Sequence, residues 1–238
     1  MILPDRRAFI CGLGVAILRP KEAFCQGQSP MHILLLGDSI FDNAAYVQGG
    51  PDVVQQLRDI LPPGSTATLH AKDGAVMADI SQQLQRTPST VTHLVVSIGG
   101  NDALAEAKLL DAKVRSMTDA LELMSKVRDK FRPAYARLLN QVLARQLPTA
   151  VCTIYEARFP EPALRRHAAT ALTTLNDIIT REAFARAVDC IDLRVICNED
   201  RDFANPIEPS VHGGAKIARG ILSFAAGDDQ RRSRVIAQ

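Results

Sequence analysis

What this chain lacks bounds it before any motif is read. Its apolar run Phe9 to Leu18 falls well short of the roughly 20 residues that a bilayer-spanning helix needs. It has no excess of charge of one sign: 28 Lys and Arg against 26 Asp and Glu leave a formal +2. The overall balance therefore carries no signature of a nucleic-acid or membrane partner. Five cysteines, at 11, 25, 152, 190 and 197, show no Cys/His spacing of a zinc site. There is no internal repeat and no low-complexity linker, so 238 residues read as one domain around one substantial core.

The first 28 residues differ from the rest. Arg6 and Arg7 precede the apolar run, and a polar segment ends in Gln26, Gly27 and Gln28. This pattern is that of an export signal, and the paired arginines resemble a twin-arginine one, with Asp5 and Cys11 departing from it. The expectation is a signal over 1–28, a domain over 29–226 and a flexible tail over 227–238 that includes Arg231, Arg232 and Arg234. The mature protein is expected in the periplasm or outside the cell, without stable membrane insertion; a cytoplasmic protein with an unusual N-terminus is the alternative. Cys152, Cys190 and Cys197 read mainly as small buried hydrophobes, with a Cys190–Cys197 pair left open.

Short β-branched runs alternate with longer helical patterns. Strands are expected at His32–Leu36, Ala67–His70, His93–Ser97, Ala150–Tyr155 and Val188–Leu193. Helices are expected at Val53–Leu61, Met77–Leu84, across much of Ala103–Leu147, at Pro162–Ala187 and at Ala215–Ala225. Five strands separated by helices predict an α/β protein, a parallel sheet covered on both faces. Pro133 is expected to break the third helical region in two. In such a sheet, loops leaving the carboxyl ends of the strands line the ligand crevice. Ser39, Gly74, Asn101 and the segment 202–214 all follow strands and should converge there.

GDSIFDN (37–43) follows the first strand. Alone, a Ser or Asp in that place is an ordinary helix cap. VVSIGGNDAL (95–104) ends the third strand with two glycines that let backbone approach a ligand, followed by Asn101, whose amide can donate to a developing oxyanion. Asn101 and Asp102 also suit a cap. Asp38 and Asp42 are expected to bond local backbone N–H groups.

Together with AKDGAVMADI (71–80) between them, these motifs resemble the SGNH or GDSL hydrolases, over about residues 31 to 225. The resemblance implies a three-layer α/β/α sandwich of flavodoxin-like topology and an esterase needing neither metal nor organic cofactor. Ser39 matches the nucleophile, Gly74 the glycine whose N–H joins the oxyanion hole, and Asn101 the asparagine that completes it, with the Ser39 N–H as third donor. A serine hydroxyl is a weak nucleophile until a base takes its proton.

The base is where the chain departs from the family. The usual block places Asp and His three apart before Pro-Ser; here DFANPIEPSVHGG (202–214) puts Asn205 and Glu208 in those positions. His212 lies one turn later and is the first candidate, because imidazole titrates near neutrality. Glu208 is the second, since a desolvated carboxylate can be raised toward the same range; as an alternative it simply favours the helix dipole. Asp202 either orients His212 or caps the loop. The implied partner is a small-molecule ester, with a short acyl or acetyl group among the possibilities. The competing reading is a binding module that keeps the crevice and has lost the base. Leu104–Arg132 is long enough to form a cover or a partner surface.

Overall fold

The computed structural model describes residues 29–227. The export-signal reading of 1–28, with Cys11 and Cys25, and the basic tail at 231–234 lie outside the described residues.

Five strands form one parallel sheet: β1 (His32–Gly37), β2 (Thr66–Leu69), β3 (His93–Ser97), β4 (Thr149–Cys152) and β5 (Asp189–Ile191). Their order is β2-β1-β3-β4-β5. The chain first steps from β1 to one side and then continues on the other, so the carboxyl end of β1 lies at the switch point where such sheets bind ligands. Ile33 to Leu36 are fully buried, as continuous apolar strands must be when helices cover both faces.

Alternation along β1 feeds two cores. Ile33 and Leu35 pack with Leu57 of α1 (Val53–Ile60) and with Ile217 and Ile221 of α7 (Val211–Ala225). Leu34 and Leu36 face the other layer, with Ile80 of α2 (Ile80–Leu84), Tyr135 and Leu139 of α4 (Met117–Leu143), and Ile178 of α5 (Pro162–Phe184). Between β3 and α4 run α3 (Gly100–Ala105) and a 3-10 turn, Ala107–Asp111. A short α6 (Leu193–Ile196) follows β5. No helix among the described residues is long and apolar enough to cross a membrane.

Two expectations need correction. Pro133 does not break its helix: α4 runs through it from Met117 to Leu143. Pro133 is exposed, so the carbonyl of Asp129 that it cannot bond reaches water, while Val127, Phe131, Tyr135, Leu138 and Val142 hold the opposite face in the core. The break falls instead at 112–116, before the Ser116 cap. Helix α7 starts four residues earlier than Ala215, because the Ser210 side chain accepts from the N–H groups of His212 and Gly213. Cys152, Cys190 and Cys197 are free thiols.

Candidate active site

Ser39 sits two residues beyond β1. Gly37 lets the chain leave the strand there: its φ is +134°, and a Cβ on it would lie 1.8 Å from the Ser97 carbonyl oxygen of β3, which no side chain tolerates. The Asp38 N–H donates to that same carbonyl at 3.1 Å. The Asp38 carboxylate turns back to accept from the Ile40 N–H at 3.1 Å. Ser39 is buried, and its hydroxyl donates to Glu208 Oε1 at 3.0 Å. Of the two candidates in 202–214, Glu208 is the one that meets the hydroxyl.

The loop carrying Glu208 is held by its own short side chains. Asn205 Oδ1 accepts from the N–H groups of Ile207 at 2.9 Å and Glu208 at 3.0 Å, an Asx turn. The Ala204 N–H donates to the Glu208 carbonyl at 2.9 Å, and Phe203 bridges Pro209. Tyr155, just past β4, donates its hydroxyl to the Ile207 carbonyl at 2.7 Å. Asn43, fully buried, donates to the Pro209 carbonyl at 3.0 Å and accepts from the Val53 N–H at 2.9 Å, tying the Ser39 turn to the Glu208 loop and to α1.

Burial pushes the Glu208 carboxyl up to about 7, against the lowering effect of the Ser39 hydroxyl bond, and Asp73 adds repulsion. Its Oε2 is buried with no hydrogen-bond partner. An unpaired buried carboxylate oxygen is costly. Asp38 is likewise raised to about 7, first by burial, with the charge of Glu208 contributing and the Ile40 N–H opposing.

Gly74 and Asn101 come in from the loops after β2 and β3. Gly74 has φ +77°, and its loop is pinned on both sides of it. The Asp73 N–H donates to Asp42 Oδ2 at 2.9 Å, and the Ala75 carbonyl accepts from Asn101 Nδ2 at 2.9 Å. Among the described residues neither the Ser39 N–H nor the Gly74 N–H is spent on a hydrogen bond. Gly99, at φ +110°, caps α3 and delivers Asn101 into its first turn. The half-buried Asp102 carboxylate, raised chiefly by desolvation, accepts from the Met77 N–H at 3.1 Å.

His212 does not meet Ser39. Its ring is on α7, 42% exposed, with Nε2 3.6 Å from Asp202 Oδ1. The reason is local: with Ser210 as cap, His212 falls in the first turn on the side facing Asp202. Asp202 is buried and bonds the Lys216 ammonium at 2.9 Å and the Glu199 N–H at 2.9 Å. Burial raises its pKa, but Lys216 and that N–H outweigh it and leave it low. Gly213 permits the approach, since a Cβ there would lie 2.1 Å from the Asp202 carbonyl oxygen. The Asp202, Lys216 and His212 group thus docks α7 and stands apart from the hydroxyl.

Ser39, Asn101 and Glu208 line a cavity of about 450 Å³. Its walls are apolar and come from α3, the 3-10 turn, α4 and α5, with Leu104, Leu109, Met124, Ala171 and Leu172 among them. Sequence reasoning missed this cavity, the Asn43 tie and the Asn205 turn. Only the length of 104–132 hinted at a cover.

A parallel doubly wound sheet with a buried serine at its switch point, beside Gly and Asn loops from the next two strands, defines the three-layer α/β/α hydrolase architecture. Residues 35–217 match the GDSL-like lipase/acylhydrolase family, and the chain belongs to it. Among solved structures, phospholipase A1 from Streptomyces albidoflavus NA297 is similar at 14% identity and TM-score 0.59, covering 84% of this chain and 99% of that one. The lipase/acylhydrolase from Enterococcus faecalis is 18% identical with TM-score 0.59, over 86% and 100% of the two chains. An acetyl xylan esterase, AlAXEase, gives 18% and 0.57 over 81% and 98%. At these identities the likeness is one of fold. No curated protein matches in sequence.

Proposed function

We propose that the protein is a serine ester hydrolase in which Glu208 is the general base. The observation that carries this reading is the 3.0 Å hydrogen bond from Ser39 Oγ to Glu208 Oε1 in the lining of an apolar cavity. Ser39 Oγ attacks the ester carbonyl carbon while its proton passes to Glu208. The oxyanion is met by the N–H groups of Ser39 and Gly74 and by Asn101 Nδ2. Each such donor is worth on the order of a hundredfold to a thousandfold. Collapse expels the alcohol, which takes the proton back from Glu208. Water activated by the same carboxylate then releases the acid.

A carboxylate raised to about 7 matches imidazole in basicity, so desolvation supplies what the residue type lacks. The apolar cavity fits the acyl part of the substrate. An acyl chain, more than an acetyl group alone, is what its size and lining suit. Export, supported by the arginine pair and the apolar run at 9–18, would place this activity outside the cytoplasm.

The absence of an imidazole beside Ser39 favours one second reading, a module that binds an acyl ligand without turning it over. A fluorophosphonate probe separates the two, because activated serines are labelled and capping serines are not. Expected are labelling at Ser39 and turnover of a p-nitrophenyl ester, with both abolished in Ser39→Ala. Glu208→Gln should lose on the order of 10² to 10⁴ in kcat/KM, while His212→Ala stays within a few-fold of the parent. Loss in His212→Ala with activity kept in Glu208→Gln would reverse the assignment of the base.

A further inference from the structure

The loop that carries Gly74 is a four-residue turn. The Ala75 N–H donates to the Lys72 carbonyl at 3.0 Å. Gly74, third in the turn, has φ +77°, and Asp73 before it has no positive φ. That combination is a type II turn, which differs from the commoner type I by a flip of its central peptide, here the one joining Asp73 to Gly74. The Gly74 N–H belongs to that peptide. Whether an oxyanion beside Ser39 meets an N–H or a carbonyl oxygen therefore depends on which way this one unit lies.

Besides Asn101, which bonds the Ala75 carbonyl, three contacts hold the turn from outside. Its first residue is registered on the sheet, the Lys72 N–H donating at 3.0 Å to the carbonyl of Gly37, two residues before Ser39. Asp73 is gripped twice by the segment that follows Ser39. Its N–H donates to Asp42 Oδ2 at 2.9 Å, and its Oδ2 accepts from the Tyr46 hydroxyl at 2.7 Å. That hydroxyl, pushed up to about 12 first by its bond to Asp73, stays protonated and donating near neutral pH. Packing against Gly74 does not fix the turn, since a Cβ there would meet nothing within 4 Å. The turn is held by the left-handed backbone that glycine allows and by these bonds.

Resting on the ester-hydrolase reading above, we propose that Asp42 and Tyr46 are positioning residues of the oxyanion site. By holding Asp73 at its N–H and its carboxylate, they keep the Asp73–Gly74 peptide turned with the Gly74 N–H toward the oxyanion. A flipped peptide would present the Asp73 carbonyl oxygen instead, removing a donor worth on the order of a hundredfold to a thousandfold and adding repulsion. Both side chains stand on the segment that leaves the nucleophile. The stretch that carries the attacking oxygen thus also sets a donor for the charge its attack creates.

The test measures kcat and KM separately on p-nitrophenyl butyrate, together with the affinity for butylboronic acid, which binds a nucleophilic serine as a tetrahedral adduct. Hydrogen bonds of this kind bias a local equilibrium by about three- to tenfold each. Tyr46→Phe and Asp42→Ala should therefore each lower kcat by about that factor, and the double variant by about ten- to hundredfold. KM should stay unchanged and boronate affinity should fall in step with kcat, because the oxyanion forms only after attack. Asp42→Asn keeps an acceptor oxygen for the Asp73 N–H and should recover most of the loss. Gly74→Ala meets no clash but strains the turn, and should fall like the double variant. Unchanged kcat in the double variant overturns the proposal. So does a loss that appears in KM with boronate affinity intact, or one that Asp42→Asn fails to recover. Should Asp42→Ala not fold, Tyr46→Phe removes a single hydroxyl and carries the same readouts. A parent that binds the boronate yet turns over no ester refutes the hydrolytic reading; the positioning role then stands or falls on whether the double variant loses boronate affinity. A parent that does neither overturns both.

Discussion

At the residue scale the site turns on one carboxylate placed where water cannot reach it. Glu208 is raised from 4.5 to about 7 because burial disfavours its charge, and in the proposed role of base it must be ionised to accept the Ser39 proton. Activity should therefore fall as pH drops through 7, a range in which Asp38, raised to about 7 chiefly by its own burial, also titrates. The same shift makes a stability prediction. A carboxyl whose pKa is raised on folding binds more protons folded than unfolded between pH 4.5 and 7, so its contribution to stability declines as pH rises through that window. Glu208→Gln keeps the shape and removes the charge. It should stabilise the fold by up to about 3 kcal/mol above pH 7 and by little near pH 4.5. Denaturant midpoints at pH 8 and pH 4.5 check this, and equal effects at both would place the carboxylate in a wetter setting than its burial implies. The positions of Ser39, Gly74 and Asn101 on loops after β1, β2 and β3 were legible because each motif follows an apolar strand. Which residue of 202–214 meets the Ser39 hydroxyl was not. Choosing between His212 and Glu208 required the Asx turn at Asn205 and the Ser210 cap, which decide by hydrogen bonds which residue of the loop faces the hydroxyl.

At the scale of elements, the strands were readable from apolar runs because both faces of the sheet are covered, and their boundaries moved by only a few residues. Helix α4 shows where local rules lose. Proline in a helix interior costs about 3 kcal/mol relative to alanine, yet the core contacts of Phe131, Tyr135, Leu138, Leu139 and Val142 carry the helix through Pro133. If the fold is bearing that cost, Pro133→Ala should raise stability by about 1 to 3 kcal/mol, measured by urea denaturation. The other sign would mean that the backbone geometry Pro133 imposes is needed for α4 to pack on the sheet. Gly213 is the opposite case, a glycine that packing demands. Gly213→Ala sets a Cβ 2.1 Å from the Asp202 carbonyl oxygen, so α7 must shift outward. Because the loop bearing Glu208 is anchored through Ser210 and Asp202 to that helix, both stability and turnover should drop together.

At the scale of the whole molecule, the cavity is what no stretch of sequence announces, since its walls come from α3, the 3-10 turn, α4 and α5 at once. Leu104, Met124 and Leu172 each read as ordinary helix positions until the fold brings them into the lining of one cavity with Ser39. Its size makes a quantitative claim. At about 450 Å³ it has room for on the order of a dozen methylenes, each taking about the ~30 Å³ share of a liquid water molecule. Each methylene buried contributes about 0.8 kcal/mol, so kcat/KM on p-nitrophenyl esters should rise by about two- to fourfold per methylene added, then level off when the chain fills the space. Ala171 lines the cavity from α5, and Ala171→Phe fills part of it. That variant should move the plateau to shorter chains and remove most of the advantage of long ones, while acetyl ester turnover, which does not reach so deep, changes least. A parent enzyme fastest on acetyl esters, with a chain-length profile that Ala171→Phe leaves unmoved, would show that the acyl group is held elsewhere and that this apolar space serves the alcohol side or none.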